Sequence, residues 1–173
     1  SFYLYTAAMG LNTLGLVPVA LILYKGASFM SASWLVPLVY ALIQGIDAPS
    51  ALVAGYAYDR IGRKLLVLPF GLAVIPSVLI LLAGDVTTIV IAAIIFGAVL
   101  GMQESIYRAA VADLVPKEKR GRAYGIFHAI YGASLLGAGG VFGWMLDIGA
   151  TATGIAYVCS MQAAALVLLA KTL

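Results

Sequence analysis

Six apolar runs, joined by short polar connections, leave this chain of 173 residues almost no way to fold in water. The runs cover residues 2–24, 33–58, 65–83, 86–111, 123–145 and 154–170. A helix needs about 20 predominantly apolar residues to cross the hydrocarbon core of a bilayer. Lipid tolerates only helices or closed barrels as spanning structures, because every backbone polar group must be satisfied internally. The runs lack the alternation of a barrel strand. The expected fold is therefore an all-α membrane protein, with residues 1–173 forming one bundle of six transmembrane helices. Short connections make successive helices antiparallel neighbours.

Composition supports the same reading. Hydrophobic residues make up 64% of the chain and charged residues 10%, and the mean hydropathy is +1.08. Soluble domains are roughly half apolar and a quarter charged, and a domain of this size cannot hide so much apolar surface from water. The net charge of +3 invites a nucleic-acid reading. Distribution excludes it, since the basic residues sit in short clusters between apolar runs and not along one face. The lone Cys159 rules out an internal disulfide. The first run lacks a basic leader and is too long for the core of a signal peptide. A chain beginning at Ser1 reads as a piece of a longer protein.

The basic residues also orient the bundle. Arg60, Arg63 and Lys64 fall between runs two and three, Lys117, Lys119, Arg120 and Arg122 between runs four and five, and Lys171 after run six. With six spans, eight of the ten Lys and Arg share one side. Lys25, Asp85 and Asp147 lie on the other. The positive-inside rule then makes the even-numbered connections and both termini cytoplasmic, with the cell (inner) membrane as the expected location.

The stretch GYAYDRIGRK, Gly55 to Lys64, is the most specific feature. Gly55 permits close helix approach, and Gly62 permits the backbone angles of a tight reversal. Asp59 can face the positive end of a neighbouring helix. Arg63 offers a planar fork to a carboxylate, and Arg60 and Lys64 complete the basic turn. A second patterned loop runs DLVPKEKRGRAYG, Asp113 to Gly125.

Together these loops resemble the major facilitator superfamily. The first matches that family's loop signature between the second and third helices, and the second is similar to its loop between the fourth and fifth. The resemblance covers all six runs and implies one half of a transporter built from two six-helix halves. The segment MQESIYRAAVADLVP looks more like a second, C-terminal half than a first. The resemblance further implies a conformational latch made by Gly55, Asp59, Arg60, Gly62, Arg63, Lys64 and Asp113. In it, Arg63 would meet Asp113, and Asp59 would face the start of helix five near Arg122. The plainer alternative is that these charges only mark the cytoplasmic boundary.

Ionisable residues inside spans are costly and are functional candidates by default. They are Asp47 in run two, Glu104 and Arg108 in run four, and His128 in run five. Runs three and six carry none, which fits the family pattern, where the third and sixth helices lie outside the cavity. By helical rise, Asp47 lies roughly 18 Å from the boundary marked by Asp59, and Glu104 roughly 13 Å from Asp113. Helical spacing groups Tyr40, Gln44, Asp47, Ala51 and Gly55 on one face. It groups Gly97, Gly101, Glu104 and Arg108 on a second, and Tyr124, His128 and Tyr131 on a third. Asn12 in run one is a further candidate.

Simpler roles stand beside these. Glu104 and Arg108 are four apart and can neutralise each other. His128 can be an ordinary hydrogen-bonded histidine. Gln103 points away from Glu104, and Gln162 reads as a helix-contact residue. Asp47 has no partner at i±3 or i±4, which makes it the leading candidate for proton coupling or substrate contact. Gly125, Ala129, Ala133, Gly140 and Gly143 form a small-residue ridge expected to pack closely.

The function expected is secondary active transport of a small solute by alternating access, with proton coupling as its candidate driving mode. Its partners would be the lipid bilayer, the other six-helix half and a small-molecule substrate, with no cofactor or metal. Alternatives are a half-size transporter working as a homodimer, or a non-transporting scaffold or receptor. An enzyme is not expected, since neither HExxH nor GxSxG occurs.

Overall fold

The computed structural model describes residues 1–173 and consists of helices and the turns between them. The first apolar run forms two helices, α1 (Phe2–Leu14) and α2 (Val19–Ala27). Pro18 sits at the start of α2 with extended backbone angles, and proline also disfavours helical geometry in the residue before it. The groups released by this break find partners from distant helices. Ser77 Oγ accepts from Val17 N at 2.9 Å and lies 3.1 Å from the Gly15 carbonyl, to which it can donate. Tyr157 Oη donates to the Leu14 carbonyl at 3.0 Å. Irregular backbone at membrane depth requires this kind of internal satisfaction.

Helix α3 (Leu35–Ile61) continues through Pro49 and stops at Gly62, whose φ of 71° and ψ of −156° belong to a region essentially reserved for glycine. A 3₁₀ turn (Gly62–Leu66) leads to α4 (Val67–Leu72) and α5 (Val74–Leu82). Next come α6 (Val86–Met102), a π turn (Gln103–Tyr107) and α7 (Arg108–Leu114). The carboxylate of Asp85 accepts from Thr88 N at 2.7 Å and caps α6. Hydrogen bonding to Thr88 holds the Asp85 carboxyl below its ordinary value. After a short 3₁₀ turn (Lys117–Lys119), α8 (Arg120–Asp147) and α9 (Thr151–Ala170) complete the chain.

Five helical stretches are long and apolar enough to cross a membrane, where the sequence leads one to expect six. The difference lies in Leu35–Leu82, a stretch of 48 residues. The turn after Gly62 is itself helical, so almost no irregular backbone separates α3 from α4. A straight helix of that length would reach about 72 Å, more than twice the hydrocarbon thickness of about 30 Å.

Helix α3 packs along α6, α1 against α9 and α8, and α5 against α6 and α9. Tyr5, Phe70, Tyr107 and Phe142 fill the interior. The outside is apolar as well: Leu52 is 78% exposed and Leu136 80%, a surface suited to lipid and not to water. The α3–α6 crossing is the tightest. A Cβ on Gly101 would lie 2.2 Å from the Asp47 carbonyl oxygen, and one on Gly97 would lie 2.6 Å from that of Ile43. The expected close packing of the α8 ridge is not made within this chain. Ala129 and Ala133 are exposed, and a Cβ on Gly125, Gly140 or Gly143 would meet open space.

Candidate functional site

The π turn of residues 103–107 places the polar side chains of the fourth run. Such turns insert one residue into an α-helix and re-aim the side chains around them. Gly97 and Gly101, before the turn, press against α3. Glu104 and Arg108 instead face a cavity of about 220 Å³ shared with α8. The face that helical spacing assigns to all four residues is therefore divided at the turn. Gln103 and Tyr107 line the same cavity, and Phe127, His128 and Tyr131 line it from α8.

Glu104, Arg108 and His128 are exposed in this chain, and Tyr131 is half-buried. Arg108 Nε donates to the main-chain oxygen of Glu104 at 2.9 Å. That bond orients the guanidinium without using the Glu104 carboxylate. Tyr124 Oη donates to the Arg108 carbonyl at 3.0 Å, and Tyr5 Oη to that of Tyr107 at 2.9 Å. Hydroxyls from α8 and α1 thus brace the turn. The site offers an anion, a planar cation, an imidazole and aromatic walls, which suit binding of a small polar solute.

Asn12 lies apart from this exposed group. It is fully buried and bonds to Gln162, Gln103 and Tyr107. Sequence reasoning singled out Asn12, set Gln103 and Gln162 lower and missed Tyr107. The missed signal is that Gln103 and Tyr107 stand four apart and can reach one acceptor on another helix.

Asp47 and Gln44 do not reach this cavity. Gln44 is exposed, whereas Asp47 is buried against the α3–α6 crossing, and its Oδ1 has no hydrogen-bond partner. A buried, unpartnered carboxylate oxygen is expensive when charged. No three His, Cys, Asp or Glu side chains come together as a metal site would require.

At the basic end, the pairing implied by the resemblance is replaced by another. Asp113 Oδ2 accepts from Tyr58 Oη at 2.8 Å, while Arg63 Nη1 donates to the Thr172 carbonyl at 3.1 Å. Tyr58 takes the place expected of Arg63: it lies within α3, whereas Arg63 lies past the end of that helix, in the 3₁₀ turn. Asp59 and Arg122 are exposed. Arg60 lies over the Tyr56 ring at 4.4 Å from its centre, and Lys64 is exposed. Gly55 approaches Ser105, whose Oγ would be 3.0 Å from an added Cβ. Arg120 donates to the carbonyls of Ala112 and Val115, closing the end of α7.

Comparison with known proteins adds a family. The model for the Major Facilitator Superfamily matches residues 2–172. Proteins from Mycobacterium bovis and two strains of Mycobacterium tuberculosis, each called only an uncharacterized protein, are 38% identical over 174 residues. The match takes in 97% of this chain and 41% of each relative, so the chain spans about two fifths of their length. No solved structure matches.

Proposed function

Because this chain belongs to the Major Facilitator Superfamily, a family of multi-pass membrane transporters, we propose that it is one six-helix half of a secondary transporter moving a small polar solute by alternating access. Six spans result if Gly62 reverses the chain, with α3 descending and α4–α5 returning. The even-numbered loops and Lys171 then put the basic residues on the cytoplasmic face of the cell membrane, with both termini on that side. The length of the mycobacterial relatives leaves room for a second half. In this reading that half packs on the open face of α8 and closes the cavity.

The observation that carries the proposal is the convergence of Glu104, Arg108, His128 and Tyr131 on one cavity, open on the side no other helix of this chain covers. Arg108 holds an anionic group of the solute, and Glu104 accepts a donor. Asp47, buried beside the crossing, takes up and releases the coupling proton. Neutralised, it can stay in its apolar setting; ionised, it must find water. The bond between Tyr58 and Asp113 and the Gly62 turn, with Arg63 nearby, act as the cytoplasmic latch.

The test is uptake by the complete protein in proteoliposomes, with a pH-sensitive dye inside and a panel of small polar solutes outside. Solute-driven proton movement is expected for the parent, loss of that movement for Asp47→Asn, and weakened solute dependence for Glu104→Gln. Normal proton-coupled uptake by Asp47→Asn removes Asp47 from the mechanism. Unchanged uptake by a Glu104→Gln/Arg108→Gln double variant removes the cavity.

A further inference from the structure

The side-chain amide of Asn12 uses its full hydrogen-bonding capacity in the interior. Its Oδ1 accepts from Gln103 Nε2 at 3.0 Å and from Tyr107 Oη at 2.7 Å. Its Nδ2 donates to Gln162 Oε1 at 2.6 Å and lies 3.5 Å from the Phe70 carbonyl. Gln162 Nε2 returns a bond to the Asn12 main-chain oxygen at 3.0 Å. One residue of α1 thus ties together α4, α9 and the π turn. A fully satisfied buried network of this kind specifies one arrangement of its helices.

Gln103 and Tyr107 are the first and last residues of the π turn. Both ends of the turn therefore hang on a single atom, Asn12 Oδ1. Glu104 and Arg108 each follow one of these anchored residues, about a quarter to a third of a turn further round, and their side chains line the cavity. The turn cannot rotate without breaking both bonds. We infer that Asn12 is a positioning residue: it sets the rotation of the π turn and so decides whether Glu104 and Arg108 face the cavity.

The alternative setting is physically accessible. Gln103 and Tyr107 also border the cavity. If Asn12 is replaced by an apolar residue, their amide and hydroxyl lose a buried partner, and turning toward the cavity gives them water. That turn carries Glu104 and Arg108 away from it. The inference rests on the transport reading only for its consequence in flux. The geometry itself can be tested without any solute.

The experiment uses the complete protein in membrane vesicles, with its native thiols, Cys159 included, replaced by serine. Single cysteines are placed by Glu104→Cys, Arg108→Cys or His128→Cys, and their rates of reaction with a water-soluble maleimide are measured. Adding Asn12→Leu removes both bonds to Oδ1 and should slow reaction at positions 104 and 108 on the order of tenfold or more, since the loss of even one buried hydrogen bond shifts a two-state equilibrium by up to about that much. Position 128, across the cavity on α8, should react as before. Asn12→Asp, in its neutral form, keeps the acceptor Oδ1 and can donate its acid proton to Gln162 Oε1 where the amide did, so it should restore the parent rates. If Asn12→Leu fails to fold, Tyr107→Phe removes one of the two anchors with almost no change of shape, and a smaller slowing at position 104 is expected. Unchanged rates at 104 and 108, or an equal fall at 128, overturn the inference. The first outcome means that Asn12 does not set the turn, and the second that the cavity collapses as a whole. Neither bears on whether the protein transports, which the proteoliposome assay decides separately.

Discussion

Two glycine-rich regions of this molecule look alike in sequence and behave oppositely in the fold. At the α3–α6 crossing, Gly97 and Gly101 let two backbones touch, with no space for even a methyl group. On α8, Gly125, Gly132, Gly139, Gly140 and Gly143 face open space within this chain. Without a strong hydrophobic drive between helices in lipid, association depends on close packing and interhelical hydrogen bonds. The first region has spent its glycines on packing inside this chain. The second has them still free, on the helix that also carries His128.

The largest effect should come from Gly101→Ala. Its new Cβ would lie 2.2 Å from the Asp47 carbonyl and 2.9 Å from Ala51 N. Both are backbone atoms, which cannot swing aside as a side-chain tip can. Overpacking usually costs about 1–3 kcal/mol, and a clash of backbone against backbone belongs at the upper end. Thermal unfolding in detergent, followed by size-exclusion fluorescence, should show a clear drop in the midpoint. An unchanged midpoint would mean that α3 and α6 are not in this register, and the contrast with α8 would fail.

What the sequence makes legible follows the same division. Apolar length and the loop between Gly55 and Lys64 point to the membrane, the helices and the family, because these signals are local. The polar candidates Glu104, Arg108, His128 and Tyr131 do share a cavity, since spacing on α8 and within one turn of the fourth run is short-range. The π turn is not legible, because regular helical spacing cannot show one inserted residue. For that reason helical spacing alone groups Gly97 and Gly101 with Glu104. Asn12 was visible as a polar residue in a span, but its partners lie 58 to 150 positions away, and no periodicity reports such a meeting. The Arg63–Asp113 pairing was expected from the loops, but nothing local reveals that Tyr58 is better placed to reach Asp113.

A middle-sized effect is expected for Gly62→Ala, and its cause is different. A Cβ there meets nothing within 4 Å, yet φ is 71° with ψ at −156°. The cost is purely torsional, of order 1–3 kcal/mol. This substitution separates strain at a turn from crowding at a crossing. It should lower the midpoint less than Gly101→Ala. The loss should persist when Leu65 or Leu68 nearby is trimmed to alanine, because no contact is being relieved. If trimming rescues Gly62→Ala, the turn is crowded and its backbone is not the constraint.

The smallest effect within this chain belongs to Gly140→Ala. Position 140 has neither a close neighbour nor a positive φ, and alanine is the better helix former by about 1 kcal/mol. For residues 1–173 expressed alone, the midpoint should stay level or rise slightly. In the complete protein the expectation changes sign, because the proposed second half would lie against this face, and an added methyl would then meet packed atoms. Comparing the two midpoints therefore measures whether the open glycines of α8 are used as those of α6 are. A loss only in the complete protein places the partner on α8. Equal behaviour in both leaves that face to lipid and moves the docking surface of the second half elsewhere, toward the exposed side of α3 around Tyr40 and Gln44.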